Sequence, residues 1–230
     1  MRIGFIVFLF TTLVSSIAAP DALHADTLDG TLNHMDQAGA QFKAMEANFK
    51  YTKFTAIINE GSDSTGSIKI KRPKAGKLLA LFDFVAPDKK VVVVDDQKVD
   101  IYLPNIKTVQ EADLGKHKVL VEQFFLFGFG TSRSDLEASY SVSLGGNETV
   151  NGEPTTRLML VSKNPDIQKQ LTRFELWISD KTGQPVQQKF YEPSGDYNVF
   201  IYSNMKINPN LPDTALRYQA KNFKKEILNR

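Results

Sequence analysis

Residues able to do chemistry are few in this chain and poorly placed for it. His34 and His117 lie outside the N-terminal apolar run, and neither has a second histidine or a cysteine at metal-ligand spacing. His34 falls on the polar side of an amphipathic pattern and His117 sits within Lys116-His117-Lys118, so both are read as solvated. No Gly-x-Ser-x-Gly elbow offers a serine nucleophile. Asp83, Asp95, Asp96 and Asp100 are candidate carboxylates for glycoside chemistry, yet Asp95-Asp96 separates two apolar runs, where such a pair makes a hairpin turn. Gly128-Phe129-Gly130 neither follows a strand nor opens a helix, which excludes a dinucleotide fingerprint. The expectation is a non-enzyme with no catalytic residue, no metal and no cofactor.

What the chain has instead is apolar surface. Gly66–Arg72 runs into Pro73, and Leu78–Phe84, Pro87 and Val91–Pro104 follow, apolar stretches separated by short polar breaks. Leu78–Val85 is apolar at both parities, so both faces of that strand must be covered. Phe82 and Phe84 share one face and Leu79 and Leu81 the other; with Leu78, the aromatic pair is expected to line an interior cavity. Strands are predicted over Phe49–Asn59, Gly66–Arg72, Lys77–Val85, Lys90–Asp95, Lys98–Leu103 and Lys107–Glu111, with Glu60–Gly66 read as a turn. After Gly130 the pattern resumes over Tyr140–Leu144, Thr156–Ser162, Thr172–Ser179, Val186–Tyr191 and Tyr197–Ile207. Asn164–Leu171 is read as a helical turn, and Phe174–Ile178 as a strand with one polar face. Prolines 73, 87 and 104 fall at strand ends, where a missing N–H costs the ladder least. The spacing is that of an antiparallel sheet or barrel rather than of βαβ units.

Two further segments cover that sheet. Leu28, Leu32, Met35, Ala38, Phe42, Met45 and Phe49 recur at helical spacing behind the N-cap candidate Thr27, so Phe42 and Met45 are placed on the buried stripe of a first helix. Val119–Gly130 carries Phe124, Phe125, Phe127 and Phe129 with glycines at 128 and 130, which reads as an all-apolar helix able to act as a lid.

The N-terminus has the layout of a secretory signal peptide: Met1-Arg2, the apolar run Ile3–Leu13, then small residues before Asp26. Cleavage is expected after Ala25, with Ala18 as the alternative, leaving residues 26–230 as a single domain. Cysteine is absent, so there is neither a disulfide framework nor an acceptor for a lipid anchor. With an export signal of bacterial layout, the location implied is the periplasm. The net charge of +2, with both signs interspersed, gives no footprint for nucleic acid.

Several of these segments, in order, resemble the periplasmic lipoprotein carrier family, LolA. They are the first helix, Gly66–Pro73, Phe82-x-Phe84 with Pro87, Val93–Lys98 with Ile101–Pro104, Asn151-Gly152, Leu176–Ile178, Ser203-Asn204 and Ile207-Asn208 with Leu211–Asp213. The resemblance implies a mainly β fold: an incomplete antiparallel barrel of about ten or eleven strands whose hydrophobic cavity is closed by an N-terminal helix and lid helices. It also implies transfer of acylated lipoproteins from an inner-membrane ABC transporter to an outer-membrane acceptor by a monomer. On the Lys71-Arg72-Pro73 motif it places a gating arginine, Arg72, that bonds to the lid. The implied lipid-contacting set is Phe42, Met45, Leu78, Phe82, Phe84, Phe124, Phe125 and Phe127. Two alternatives stay open, a carrier of another amphiphile such as a glycolipid, and a module that senses lipid or lipoprotein.

Overall fold

A computed structural model describes residues 27–72, 78–115 and 128–228. The first helix, α1 (Leu28–Ala40), opens with Thr27 accepting a bond from the Gly30 amide. Strands β1 (Ala44–Thr55), β2 (Glu60–Lys71), β3 (Leu79–Ala86), β4 (Lys90–Asp95), β5 (Lys98–Leu103) and β6 (Thr108–Asp113) follow as a meander. A short helix α2 (Arg133–Ser139) leads into β7 (Tyr140–Val150) and β8 (Glu153–Ser162). After one helical turn, α3 (Pro165–Gln168), come β9 (Arg173–Ser179), β10 (Pro185–Tyr191), β11 (Tyr197–Ile207) and the short β12 (Lys224–Ile227).

The 12 strands among the described residues belong to one open sheet ordered β12-β6-β5-β4-β3-β2-β1-β11-β10-β9-β8-β7. Neighbours are antiparallel except at the edge, where β12 runs parallel to β6. The sheet is thus two meanders joined by the β1–β11 ladder, an unclosed barrel with a helix packed on it, as the sequence implies.

Three expectations need correction. The helix ends at Ala40, so Met45 and Phe49 lie on β1 and Phe42 on the link before it. Met45, Ala47 and Phe49 also fit a period of two, and ladders to β2 and β11 on either side favour the strand. Asn208 fixes the break by accepting from the Lys43 and Ala44 amides at 2.7 and 3.2 Å and donating to the Gln41 carbonyl at 2.8 Å. Glu60–Gly66 is not a turn but the polar half of β2, paired along its length with β1. The turn is Ala56–Ile58, closed by Asn59 at φ 52°. The third is β9, whose second face is buried too, with Glu175 4% and Trp177 3% exposed. Glu148 accepts from Trp177 Nε1 at 2.8 Å, and Arg157 lies over the indole at 5.7 Å. Arg173 lies 3.2 Å from the Glu175 carboxylate, which accepts from Tyr191 at 3.0 Å.

Both faces of β3 are covered, as its composition demands. Leu78, Ala80, Phe82 and Phe84 enter the main core, whereas Leu79 and Leu81 pack with Val91, Leu216 and Tyr218 on the opposite face. The residues that follow β11 therefore return across the sheet. Asp95 ends β4 and Asp96 takes the left-handed turn position at φ 57°.

On β5, Asp100 stands directly opposite Glu111 of β6. Partial burial first, and the Glu111 carboxylate second, hold the Asp100 carboxyl above its ordinary range. A raised carboxyl pKa means that the native state holds the proton more tightly than the unfolded chain. That contribution is present at low pH and is lost as pH rises through the native pKa. Asp100→Asn is therefore expected to stabilise the fold near neutral pH by roughly 0.2–1 kcal/mol, and by nothing at a pH below the ordinary carboxylate range. Urea unfolding at both pH values tests this, and an equal gain at each would rule out the charge explanation.

Candidate functional site

Alternation along the central strands sends one set of side chains to the face covered by α1 and α2. Met45, Ala47 and Phe49 come from β1, Ile68 and Ile70 from β2, and Phe82 and Phe84 from β3; all are buried in one cluster. Phe174, Leu176 and Ile178 of β9, Phe190 of β10 and Phe200 and Tyr202 of β11 complete it from the other meander. Leu32 and Met35 of α1 lie over it.

The aromatic members touch in sequence across the β1–β11 seam. Phe49 meets Phe84 at 5.0 Å, Phe200 at 5.8 Å and Phe82 at 6.4 Å between ring centres. Tyr202 stacks on Phe200 at 6.3 Å and meets Phe129 at 5.6 Å, and Phe129 meets Phe42 at 5.8 Å. Edge-to-face and tilted rings of this kind are favourable beyond their area. The polar intrusion is satisfied: Tyr202 donates to Gln188 Oε1 at 2.8 Å, and complete burial pushes its phenol pKa far up, so it stays a neutral donor.

A belt of polar bonds surrounds this apolar face where α1 meets the chain around Gly130. Arg72 Nη1 donates to the Gly130 carbonyl at 3.4 Å. Gly39 lets α1 approach closely, since a Cβ there would lie 2.9 Å from the Thr131 carbonyl oxygen. Gly130 itself is at φ 67° and backs onto the Phe42 ring. Arg133 then ties α2 to α1, donating to Asn33 at 2.8 Å and Asp29 at 2.6 Å, while Asp36 accepts from the Arg133 amide at 2.6 Å. Arg72 also lines a surface cleft of about 610 Å³ with Lys43, Lys71 and the turn Asn208–Leu211.

The structure thus brings Phe42, Met45, Leu78, Phe82 and Phe84 into one buried cluster and sets Arg72 at its rim. Phe124, Phe125, Phe127, most of the lid segment Val119–Gly130, and His117 lie outside the described residues. His34 is half-buried against the β9–β10 turn, close enough that a Cβ on Gly183 would meet its carbonyl oxygen at 2.6 Å. Of the carboxylates, Asp95 and Asp96 form the hairpin turn, and no group of three potential metal ligands occurs among the described residues. Phe49 and Phe129, read from the sequence as part of the first apolar stripe and of the covering segment, join this face, whereas sequence reasoning missed Phe174, Phe190, Phe200 and Tyr202. Strand alternation was the signal available for those on β9, β10 and β11.

The described residues thus form an open antiparallel sheet with a helix across an apolar, aromatic face. The family model for the outer membrane lipoprotein carrier protein LolA matches residues 40–219, and the chain belongs to that family. Its members are periplasmic carrier and binding proteins rather than enzymes.

Among solved structures, MucB shares 20% identity over 84% of this chain and 62% of its own, with a TM-score of 0.53. The chain therefore spans about three fifths of MucB. An uncharacterized conserved protein from Thermus thermophilus shares 13% identity over 87% of this chain and 98% of its own, with a TM-score of 0.54. MucB has also been solved in complex with MucA from Pseudomonas aeruginosa, at TM-score 0.48 and 20% identity over 83% of this chain and 60% of that one. No curated protein matches the sequence.

Proposed function

We propose that this chain is an exported carrier that shelters the acyl chains of lipoproteins while they cross the periplasm. In this reading residues 1–25 are a signal peptide removed after Ala25, and residues 26–230 act as one monomeric domain. Cargo comes from an inner-membrane ABC transporter and passes to an outer-membrane acceptor. The observation that carries the reading is the aromatic face centred on Phe49 and Phe82, covered by Leu32 and Met35 of α1 and Leu136 of α2 and bordered by polar bonds at the rim.

The energetics call for such a shelter. Three acyl chains hold on the order of 45 methylenes, each costing about 0.8 kcal/mol to expose to water. The rim bonds, together with the few apolar side chains of the cover at about 1.5–3 kcal/mol each, are small against that sum, so cargo can displace a cover that an empty protein keeps shut. Phe42, Met45, Leu78, Phe82 and Phe84 are the proposed cargo contacts, joined by Phe124, Phe125 and Phe127. Arg72 is the proposed gate: a charge-assisted bond contributes about 1.5–3 kcal/mol, enough to bias a cover without locking it.

Arg72→Leu is expected to bind cargo more tightly and release it to an acceptor several-fold more slowly than wild type. Equal release rates would remove the gating role. The reading as a whole is tested by mass spectrometry of the protein isolated from periplasm, where bound acylated protein is expected. Free glycolipid in its place would point to another amphiphile, and an empty protein with hydrolase activity would overturn the assignment.

A further inference from the structure

In an antiparallel meander every second turn falls at the same end of the sheet. Here the β1–β2, β3–β4 and β5–β6 turns share one end, fixed by the pairings Thr55 with Glu60, Phe84 with Lys90 and Leu103 with Thr108. Each of these turns presents a branched aliphatic side chain to solvent. Ile57 is 92% exposed and Ile58 60% on the first, Val85 58% beside the second, and Ile106 66% on the third. These make up half of the eight large hydrophobic residues exposed among the described residues. None of the four belongs to a core cluster, so the fold does not explain them.

The surroundings of these four side chains are specific. The second and third turns carry Lys89, Lys90 and Lys107 against Asp88, with the Lys224–Glu226 ion pair beside them where the Lys224 amide donates to the Lys107 carbonyl. The acids at the first turn are Glu60 and, from the adjoining β10–β11 turn, Glu192 and Asp196, whose carboxylate accepts from the Ala56 amide at 2.8 Å, so the positive charge is confined to the second and third turns. Just below the first turn Phe54 stacks on Tyr197 at 4.6 Å, and Lys189 sits over the Tyr197 and Tyr191 rings at 3.8 and 4.6 Å. Aliphatic tips, aromatic rings and lysines with apolar stems gathered at one end of the sheet have the composition of a protein surface resting in a lipid interface.

We propose that this end of the sheet docks onto a bilayer carrying anionic lipid, with Ile57, Ile58 and Ile106 entering the headgroup region and Lys89, Lys90 and Lys107 facing lipid phosphates. Separate tips on separate turns suit a fluid surface, because a folded protein partner needs a continuous, shape-complementary patch. The proposal goes beyond the carrier reading and does not depend on what occupies the aromatic face. It gives that carrier a defined end to bring toward a membrane.

Co-sedimentation with vesicles of phosphatidylethanolamine and phosphatidylglycerol tests it, using the complete domain. Wild type is expected to bind, more weakly without phosphatidylglycerol or at high salt. The triple variant Ile57→Ser, Ile58→Ser, Ile106→Ser should lose at least about tenfold in vesicle affinity with an unchanged melting temperature. Lys89→Glu with Lys107→Glu should lose the dependence on phosphatidylglycerol. A wild type that ignores every vesicle, or a triple variant that binds as wild type does, overturns the proposal. A triple variant with intact vesicle binding but slower transfer to an acceptor protein overturns it in favour of a protein partner. The carrier reading is tested separately by the mass spectrometry of protein isolated from periplasm, so docking with or without bound acylated protein there distinguishes failure of one reading from failure of the other.

Discussion

Gly66→Ala is expected to lower stability by about 3 kcal/mol or more, which for a chain of this size is a fall in melting temperature of roughly 6–12 °C. A Cβ at Gly66 would lie 2.1 Å from the Asp83 carbonyl oxygen and 2.8 Å from Cζ of Phe49. The first of these is backbone and cannot swing aside. Gly66 also sits where the β2–β3 register shifts, between Thr65 and Gly66, so relief requires moving β3 away from β2. That movement would disturb Phe82 and Phe84 on one face and Leu81 on the other. Gly61→Ala is the matched control: its Cβ would meet only Thr52 Cγ2, at 3.6 Å, an ordinary contact. Variants that melt within a degree or two of each other would show that the close approach at Gly66 is no constraint.

Phe49→Ala is expected to cost about 3–5 kcal/mol, the range for emptying a buried phenylalanine site. Phe49 is 3% exposed and contacts Phe82, Phe84 and Phe200, so its removal takes the centre out of the aromatic set. The informative measurement is the response to an acyl amphiphile. A void lined by phenylalanines stays dry and takes up apolar molecules. Ligand that binds only the native state then raises the melting temperature in proportion to its affinity. If the aromatic face receives acyl chains, a lauryl amphiphile should recover a larger part of the lost stability in Phe49→Ala than it adds to wild type. A variant that is destabilised and gains nothing from the amphiphile would make Phe49 a core residue only.

Much of the sheet could be read from residue patterns, and the failures have physical causes. The strands from β3 to β6 and the opposite orientations of Phe82 and Leu81 were legible because their apolar runs are short and bounded by proline or Asp95-Asp96. The first helix was drawn too long because Phe42, Met45 and Phe49 suit either period, and long-range ladders decide between them. The polar half of β2, Glu60–Thr65, looked like a turn since nothing in its composition requires burial; its pairing with β1 is tertiary information. β12 has four residues and a mostly exposed pattern, too little signal to predict. At the candidate site, Arg72 and the β3 aromatics stood out beside a recognisable motif. Phe200 and Phe190 did not, because their role depends on β11 pairing with a strand from the other end of the chain.

That pairing also sets the order in which the molecule can form. β1 binds β2, its neighbour in sequence, on one side and β11 on the other, with Met45 opposite Ile207. The hairpins on both sides of the seam have short closures and can assemble early. Joining the two meanders brings Phe54 to Tyr197 and Met45 to Ile207, a loop of well over half the chain, and its entropy is lost before the seam contacts form. The aromatic face spans that seam, with Phe49 on one side and Phe200 on the other. Folding is therefore expected to finish where the two meanders zip together. A chain emerging from its N-terminus holds β1 ready with one edge unfilled until β11 arrives, a late-closing geometry in which the apolar face is completed in the same step that ends folding.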